Sequence, residues 1–587
     1  MPVHNADIAQ VFEDIADLLE ISEANPFRVR AYRNAARTVG DVRIDLAGAI
    51  AAGKELPKLP GIGEDLDAKI HEIVATGTCA LLEKLRKQLP PAITELLKIP
   101  GLGPKRVKAL HESLGIDTLP QLLEAARKEK IRDIPGFGAK TEMHIVDAVQ
   151  ARLGQAKRFK LAVAAQYAQP LAAYLQKAKG AREVVIAGSY RRGKETVGDI
   201  DILVTVASGA PVMERFVKYP EVREVLAKGD TRATIVLKSG LQVDVRAVPP
   251  ESFGAALHYF TGSKAHNIAI RRLAQERGLK LNEYGVFKGE KRIAGETEES
   301  VFAAVDLPWI PPELREDRGE IQAARRGELP KLVELRDLRG DLHMHTKASD
   351  GRNTIREMAL AAKAKGLEYV AITEHSQRET QARGLDSARL AKQLDEIDRV
   401  NAELQGVTIL KGIEVDILED GSLDLPDSAL AKLDLVVAAV HSKFNLSRKA
   451  QTERIVRALD NRYVSILSHP SGRLIDERAP YEVDMQALIR RAKARGIALE
   501  INAHPDRLDL NDTDARIAKE EGALVAINSD AHSVHDFENL VFGVGQARRG
   551  WLEARDVLNA RPLAEVKKLV AGRPGSAPAQ RGRRARA

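Results

Sequence analysis

A chain of 587 residues exceeds what one hydrophobic core organises, and at roughly 100–200 residues per domain it predicts about three to five domains. Its 44% hydrophobic and 29% charged residues are ordinary for a soluble globular protein, and its single cysteine, Cys79, excludes an intrachain disulfide and a thiolate metal cluster. No apolar run nears the ~20 residues that span a bilayer, and Glu13, Asp14 and Asp17 break any signal-peptide core, so a soluble, cytoplasmic protein with no membrane partner is expected. The net charge of +7 points weakly to a polyanionic partner.

The first 150 residues read as helices, as in the spacing of Ile8, Val11, Phe12, Ile15, Leu18 and Leu19. One pattern occurs three times: LPGIGEDLDAKI at 59–70, IPGLGPKRVKAL at 99–110 and IPGFGAKTEMHI at 134–145. Gly61 and Gly63, Gly101 and Gly103, and Gly136 and Gly138 let the chain turn tightly and open a helix with its N–H groups outward. Bare N–H groups backed by a helix dipole attract a phosphate, a contact that holds a DNA backbone without reading a base. A glycine turn between packed helices explains one such loop, but hardly three. The repeats resemble the helix-hairpin-helix motifs of DNA repair proteins.

The segment 183–206, EVVIAGSYRRGKETVGDIDILVTV, reads as two strands around a Gly188–Ser189 turn. Residues i and i+2 of a strand share a face, so Asp199 and Asp201 sit side by side while Ile200 and Ile202 face the core. A third strand, LQVDVRAV at 241–248, puts Asp244 among Gln242 and Arg246. Three such carboxylates suit two Mg²⁺ or Mn²⁺ ions placed for an in-line displacement at phosphorus. Ser189 and Arg192 can hold a triphosphate.

Gly-Ser, a nine-residue gap, Asp-x-Asp and a later Asp on a strand resemble the nucleotidyltransferase superfamily, in particular family X DNA polymerases. YFTGSKAHNIAIR at 259–271 and LNEYGVF at 281–287 extend the likeness over roughly residues 1–316. The resemblance implies Asp199, Asp201 and Asp244 as catalytic metal ligands. It implies Gly188, Ser189, Arg192, Gly198, Tyr259, Phe260, Gly262, Asn267 and Arg271 as nucleotide-binding residues. Tyr259 and Phe260 would border the sugar, Asn267 the incoming base and Arg271 the template strand. Gln242 stands where a relative has Arg. The relative's 5′-deoxyribose phosphate lyase nucleophile maps onto Lys69, whereas its supporting lysines map onto Arg28 and Asp65.

The segment 311–335, with paired Pro and many charges, reads as a linker with a short helix. Beyond it, strand candidates alternate with helices through GDLHMHT, YVAITEH, VTILKGIEVDI, LDLVVAAVHS, VSILSHP, IALEINAH and ALVAINSDAH, as in a barrel-like α/β domain. His343, His345, Asp350, His375, Glu414, His441, His469, Asp530 and His532 fall at or just after strand ends. Six imidazoles and three carboxylates can hold about three Zn²⁺ or Mn²⁺ ions and generate hydroxide for phosphoester hydrolysis. Lys443 can contact a phosphate. His504 and His535 fit the spacing less well. The set resembles the PHP (polymerase and histidinol phosphatase) domain, which implies a 3′–5′ exonuclease with 3′-phosphatase or abasic-site endonuclease activity as further options.

The expected fold is therefore multidomain α/β. A helical lyase-like domain (1–85) and a helix-hairpin-helix fingers-like domain (86–150) lead into a nucleotidyltransferase palm with a mixed sheet (151–250) and a thumb (251–316). A linker (317–335), a PHP domain as a distorted (β/α)7 barrel (336–572) and a basic disordered tail (573–587) follow. The expected function is gap filling on gapped or primer-template DNA with dNTPs by a monomer, joined to 3′ trimming. A phosphatase of small phosphate esters with a non-catalytic DNA-binding N-terminal half is the alternative, and a non-catalytic DNA-damage scaffold fits two complete metal constellations poorly.

Overall fold

The computed structural model describes the whole chain except residues 1–2, 43, 55, 57–58, 60, 100, 155–157, 207–209 and 572–587, so the basic tail lies outside the described residues. Two compact units emerge. One comprises residues 1–159, 163–186 and 197–247, and the other residues 160–162, 187–196 and 248–587.

The first unit begins with helices packed by their apolar stripes. Helix Asn5–Ile21 buries Ile8, Val11, Phe12, Ile15, Leu18 and Leu19 against Tyr32, Val39, Ile70 and Leu82 from the helices that follow. Its sheet contains β1 (Val184–Ile186), β2 (Asp199–Thr205), β3 (Val222–Lys228), β4 (Arg232–Leu237) and β5 (Gln242–Val248), in the spatial order β1-β2-β5-β4-β3. β1 runs antiparallel to β2, and β4 antiparallel to both β5 and β3. Alternation decides the faces: Ile200 and Ile202 of β2 and Val243 and Val245 of β5 are buried, while Asp201 and Asp244 remain half-buried and Asp199 exposed.

The second unit includes helices Phe253–Thr261 and Lys264–Glu276 and an antiparallel sheet of β6 (Lys280–Asn282), β7 (Gly285–Lys288) and β8 (Lys291–Ala294). Gly254 is required by close approach, because a Cβ there would meet the Thr297 backbone at 2.1 Å. The segment read as a linker is instead packed. Helix Glu320–Arg326 and the chain to Leu332 bury Ile321, Ala323, Ala324 and Leu332 in a core with Ile270, Phe302 and Trp551.

After residue 335 the strands are parallel. β9 (Gly340–Asp341), β10 (Tyr369–Ile372) and β11 (Thr408–Lys411) form one run, and β12 (Glu414–Asp416), β13 (Val436–Ala439), β14 (Val464–Leu467), β15 (Ala498–Asn502) and β16 (Val525–Asn528) form another. Isolated parallel bridges link His375 with Glu414 and Met344 with Ala531. Every strand from β9 to β16 except β11 is buried throughout, as expected where helices cover a parallel sheet.

One buried ion cluster lends itself to a stability test. Glu298 accepts two 2.8 Å hydrogen bonds from Arg191 and pairs with Arg315, which is 0% exposed. Burial pushes the Glu298 carboxyl up, but the two guanidiniums outweigh it and hold it well below the usual range. Glu298→Ala should therefore cost about 3–5 kcal/mol by stranding Arg315, read as a lower denaturant midpoint. An unchanged midpoint would refute the buried pairing.

Candidate active sites

In each repeated loop of the first unit, the first glycine adopts a left-handed conformation: φ is +75° at Gly61, +86° at Gly101 and +88° at Gly136. The second glycine leads into a helix: Gly63 caps Glu64–Thr76, Gly103 caps Pro104–Leu114 and Gly138 precedes Ala139–Gly154. Among the described residues, and apart from chain neighbours, no atom lies within 4 Å of a Cβ built at Gly61, Gly63, Gly103, Gly136 or Gly138, so space is left for a close ligand. Arg106 joins two loops by donating to the carbonyls of Gly101 at 2.7 Å and Gly136 at 3.0 Å.

Lys69 borders an open depression of about 300 Å³ lined by Arg28, Tyr32, Gly63, Asp65 and Leu66. Its Nζ lies 2.5 Å from Asp65 Oδ1. Burial pulls the ammonium pKa down, but Asp65 and Tyr32 outweigh it and hold it raised. A more firmly protonated amine is a poorer Schiff-base nucleophile.

Asp199 and Asp201 lie on β2, and Asp244 lies on the neighbouring strand β5. Thr234 is directly opposite Asp244 across the β4–β5 register and donates to its Oδ1 at 2.6 Å. Gln242 Nε2 donates to the other oxygen, Oδ2, at 2.9 Å. Arg232 Nη2 also donates to Oδ1, at 3.4 Å, so Oδ2 is the oxygen that retains a lone pair for a hard divalent cation. Gly198 lies against Arg158, whose Nη1 would be 3.4 Å from a Cβ there.

In the second unit, Gly188 has a φ of +63° and opens a short helix, Gly188–Arg191, that contains Ser189. Arg192 is already engaged, donating to Glu316 at 2.9 Å and to the Thr261 carbonyl at 2.8 Å. Tyr259 and Phe260 meet edge to face at 5.0 Å. Asn267 donates to the Tyr259 carbonyl at 2.6 Å and the Gly262 carbonyl at 3.3 Å. A Cβ at Gly262 would sit 2.4 Å from Asn267 Oδ1. Asn267 thus holds the C-terminal end of helix Phe253–Thr261. The Arg271 guanidinium lies 5.8 Å from the Tyr259 ring.

The strand ends after residue 340 converge. His343, His345 and Asp530 form one potential metal group; His345, Asp350, His375 and His532 form a second; His375, Glu414 and His441 form a third. His469 Nε2 reaches Glu414 Oε1 at 3.0 Å. All nine sequence-selected side chains therefore meet. Glu379 and Asp416 form a further group with His441. Lys443 is half-exposed and pairs with Glu419 at 3.1 Å, while His504 lies 3.9 Å from Asp506.

The electrostatics suit cations. Burial lowers the pKa of His375, but Glu414 and Asp350 outweigh it and raise it to about 10. His441 is likewise raised to about 10, mainly by Glu414 and Asp416, and His532 to about 9 by Asp350 and Asp530. Burial and the adjoining His532 and His375 lower His345 to about 4. Burial pushes the Glu414 and Asp530 carboxyls up, yet the surrounding imidazoles hold both well below their ordinary range. Among the described residues, buried His345 Nδ1 and His469 Nδ1 make no hydrogen bond, and His375 Nδ1 faces Glu414 Oε2 at 2.8 Å outside hydrogen-bond geometry. Such a set fits imidazole-and-carboxylate coordination of divalent metals.

Supporting groups that the sequence reading passed over complete this site. Glu500 accepts from His343 Nδ1 at 2.8 Å, and Asp416 from His441 Nδ1 at 2.7 Å, orienting both rings. Buried Glu374 is held by Thr346, Ser349 and Gln393. A carboxylate on an apolar strand, the signal used for Asp244, also marks Asp416 and Glu500.

Comparison with known families matches residues 3–79 to a helix-hairpin-helix domain and 93–151 to a SAM-like helix-hairpin-helix tandem. Residues 163–245 match the DNA polymerase beta palm, 256–316 the DNA polymerase beta thumb and 341–504 the PHP domain. A Bacillus subtilis (strain 168) protein named DNA polymerase/3′-5′ exonuclease PolX is 40% identical over 576 residues, covering 97% of this chain and 99% of that protein. A Thermoanaerobacter sp. (strain X514) protein named "Probable phosphatase" is 35% identical over 207 residues, covering 33% of this chain and 80% of its own. A similarly named Caldanaerobacter subterraneus protein is 33% identical over 207 residues, covering 33% of this chain and 77% of its own.

The raised imidazoles carry protons at neutral pH that a bound metal must displace. Mn²⁺ affinity of the metal-stripped chain should therefore rise with pH up to about 10, where His375 and His441 titrate. Calorimetry at pH 7 in two buffers of different ionisation enthalpy should show more than one proton released per chain. Zero release would place the metal elsewhere.

Proposed function

The chain belongs to the bacterial family X DNA polymerases with a C-terminal PHP domain, and from that premise we propose that it fills short gaps in DNA repair and trims 3′ ends at a second site. The full-length 40% identity to a polymerase/exonuclease, spanning both halves, carries this reading. The proposed organisation keeps the domain boundaries expected from the sequence, with 317–335 docked as described above. The chain is proposed to act as a cytoplasmic monomer; among the described residues no helix is long and apolar enough to cross a membrane.

In the synthetic site, Asp199, Asp201 and Asp244 would hold two Mg²⁺ or Mn²⁺ ions, which supply charge neutralisation at the attacking and leaving oxygens. Thr234, Gln242 and Arg232 hold the Asp244 carboxylate in place, leaving Oδ2 the oxygen with a lone pair to offer. Ser189 and Arg192 take the triphosphate, with Arg192 exchanging its bond to Glu316. Tyr259, Phe260 and Gly262, at the C-terminal end of helix Phe253–Thr261, border the sugar, and Asn267 fixes that helix end. The paired glycines of the three loops grip backbone phosphates through exposed N–H groups.

In the hydrolytic site, the nine strand-end ligands would hold about three Mn²⁺ or Zn²⁺ ions, which lower the pKa of water to supply hydroxide. Glu500 and Asp416 set the tautomers of His343 and His441 so that each presents Nε2 to the cavity. We propose 3′–5′ exonuclease as the main activity, with 3′-phosphatase or abasic-site cleavage as further uses of the same chemistry. The likeness of one third of the chain to phosphatases favours a second reading, hydrolysis of small phosphate esters.

A labelled primer in a gapped duplex separates these readings. Asp199→Ala with Asp201→Ala should abolish extension and spare shortening; His343→Ala with His345→Ala should do the reverse. Failure of the wild type to extend with dNTPs and Mg²⁺ or Mn²⁺ would reject the polymerase assignment.

For Lys69 we propose a lyase restrained by its partner Asp65. Borohydride trapping on an incised abasic site should be weak in the wild type. It should rise several-fold in Asp65→Asn and vanish in Lys69→Ala. Equal trapping with and without Lys69 would remove the assignment.

A further inference from the structure

The nucleotide-binding turn is anchored by side chains from the PHP half, and all of these residues belong to the second compact unit. Arg549 ends helix Leu540–Arg549 and its side chain is only 2% exposed. Its Nη1 donates to the backbone carbonyl of Arg192 at 3.0 Å and to Glu316 Oε1 at 3.0 Å. Its Nη2 donates to Asp512 Oδ2 at 2.6 Å. A separate strap joins Arg473 to Glu195 at 2.6 Å.

Glu316 links Arg549 to the chemistry. The same oxygen, Oε1, accepts from Arg192 Nε at 2.9 Å. If Arg192 swings toward a triphosphate, a mostly buried Glu316 loses that counter-charge. Without Arg549, Lys194 Nζ, 4.0 Å from the same oxygen, would then be its one remaining cation among the described residues, and an under-compensated buried carboxylate is costly, so the swing would be opposed. With Arg549 in place Glu316 stays paired, and the Arg192 backbone stays fixed while its side chain moves. A guanidinium suits this task, since its rigid fork serves a carbonyl and two carboxylates at once.

We propose that Arg549 is a positioning residue for nucleotide binding, through which the PHP half holds the turn carrying Arg192 and keeps Glu316 neutralised when Arg192 engages the triphosphate. This rests on the polymerase reading above. It also assigns the C-terminal half a part in synthesis that is independent of its own hydrolysis.

The test is steady-state single-nucleotide gap filling by the full chain, with 3′ shortening of a single strand measured in parallel. Arg549→Met should raise the KM for dNTP about tenfold and change kcat less than about twofold, with shortening unchanged. Arg549→Lys should recover part of the loss. A KM unchanged in folded Arg549→Met overturns the proposal. So does a joint fall in kcat and in shortening, which marks a merely structural role. Should Arg549→Met fail to fold, Asp512→Asn, which frees one arm of the guanidinium, should raise KM in the same direction; no change overturns the proposal. Failure of the polymerase reading is visible separately, because the wild type would then not extend the primer.

Discussion

Glu414 is the constraint on which the C-terminal half depends. Its side chain is 1% exposed, yet five imidazoles surround it: His375 at 2.8 Å, His469 at 3.0 Å, His343 and His441 at 3.4 Å, and His345 at 3.7 Å. A lone buried carboxylate would give up its charge. Here the imidazoles hold it ionised, and it draws protons onto several of them in turn. The parallel strands bring their ends to this one carboxylate, and divalent cations are the natural replacement for those protons. Glu500 and Asp416 then matter because they orient rings already committed to Glu414's surroundings.

The synthetic half is built with less burial. Its carboxylates lie on the adjacent interior strands β2 and β5, with Asp199 exposed and Asp201 and Asp244 half-buried. Its order comes from direct neighbours, as with Thr234 opposite Asp244, and from anchored turns. Arg549 extends this pattern: a buried guanidinium from one domain fixes the backbone of a turn used by another.

Much of this was legible where the signal is local. Asp199-x-Asp201 and His343-x-His345 follow from strand periodicity, and Gly101-x-Gly103 from a turn that needs a left-handed residue before a helix. Signals that depend on distant pairing were hidden. Arg315 and Glu320 look like solvated linker charges, but both are 0% exposed: Arg315 pairs with Glu298, and Glu320 accepts a hydrogen bond from His266 Nδ1. The same charges disguised the apolar anchors Ile321 and Leu332. Arg473 and Glu195 lie 278 residues apart, and nothing in either local pattern announces the pair. Arg192 reads as a triphosphate ligand from its motif, but its present partner Glu316 is visible only in three dimensions.

The most direct test of the two-site account is the metal content of Glu414→Gln beside the wild type, measured by mass spectrometry after gel filtration, together with gap filling by the same samples. The wild type should retain about three ions per chain in the C-terminal cluster. Glu414→Gln should lose most of them and its 3′ trimming while still extending a primer. Full metal retention and trimming in the variant would contradict the account, as would a loss of extension without loss of folding.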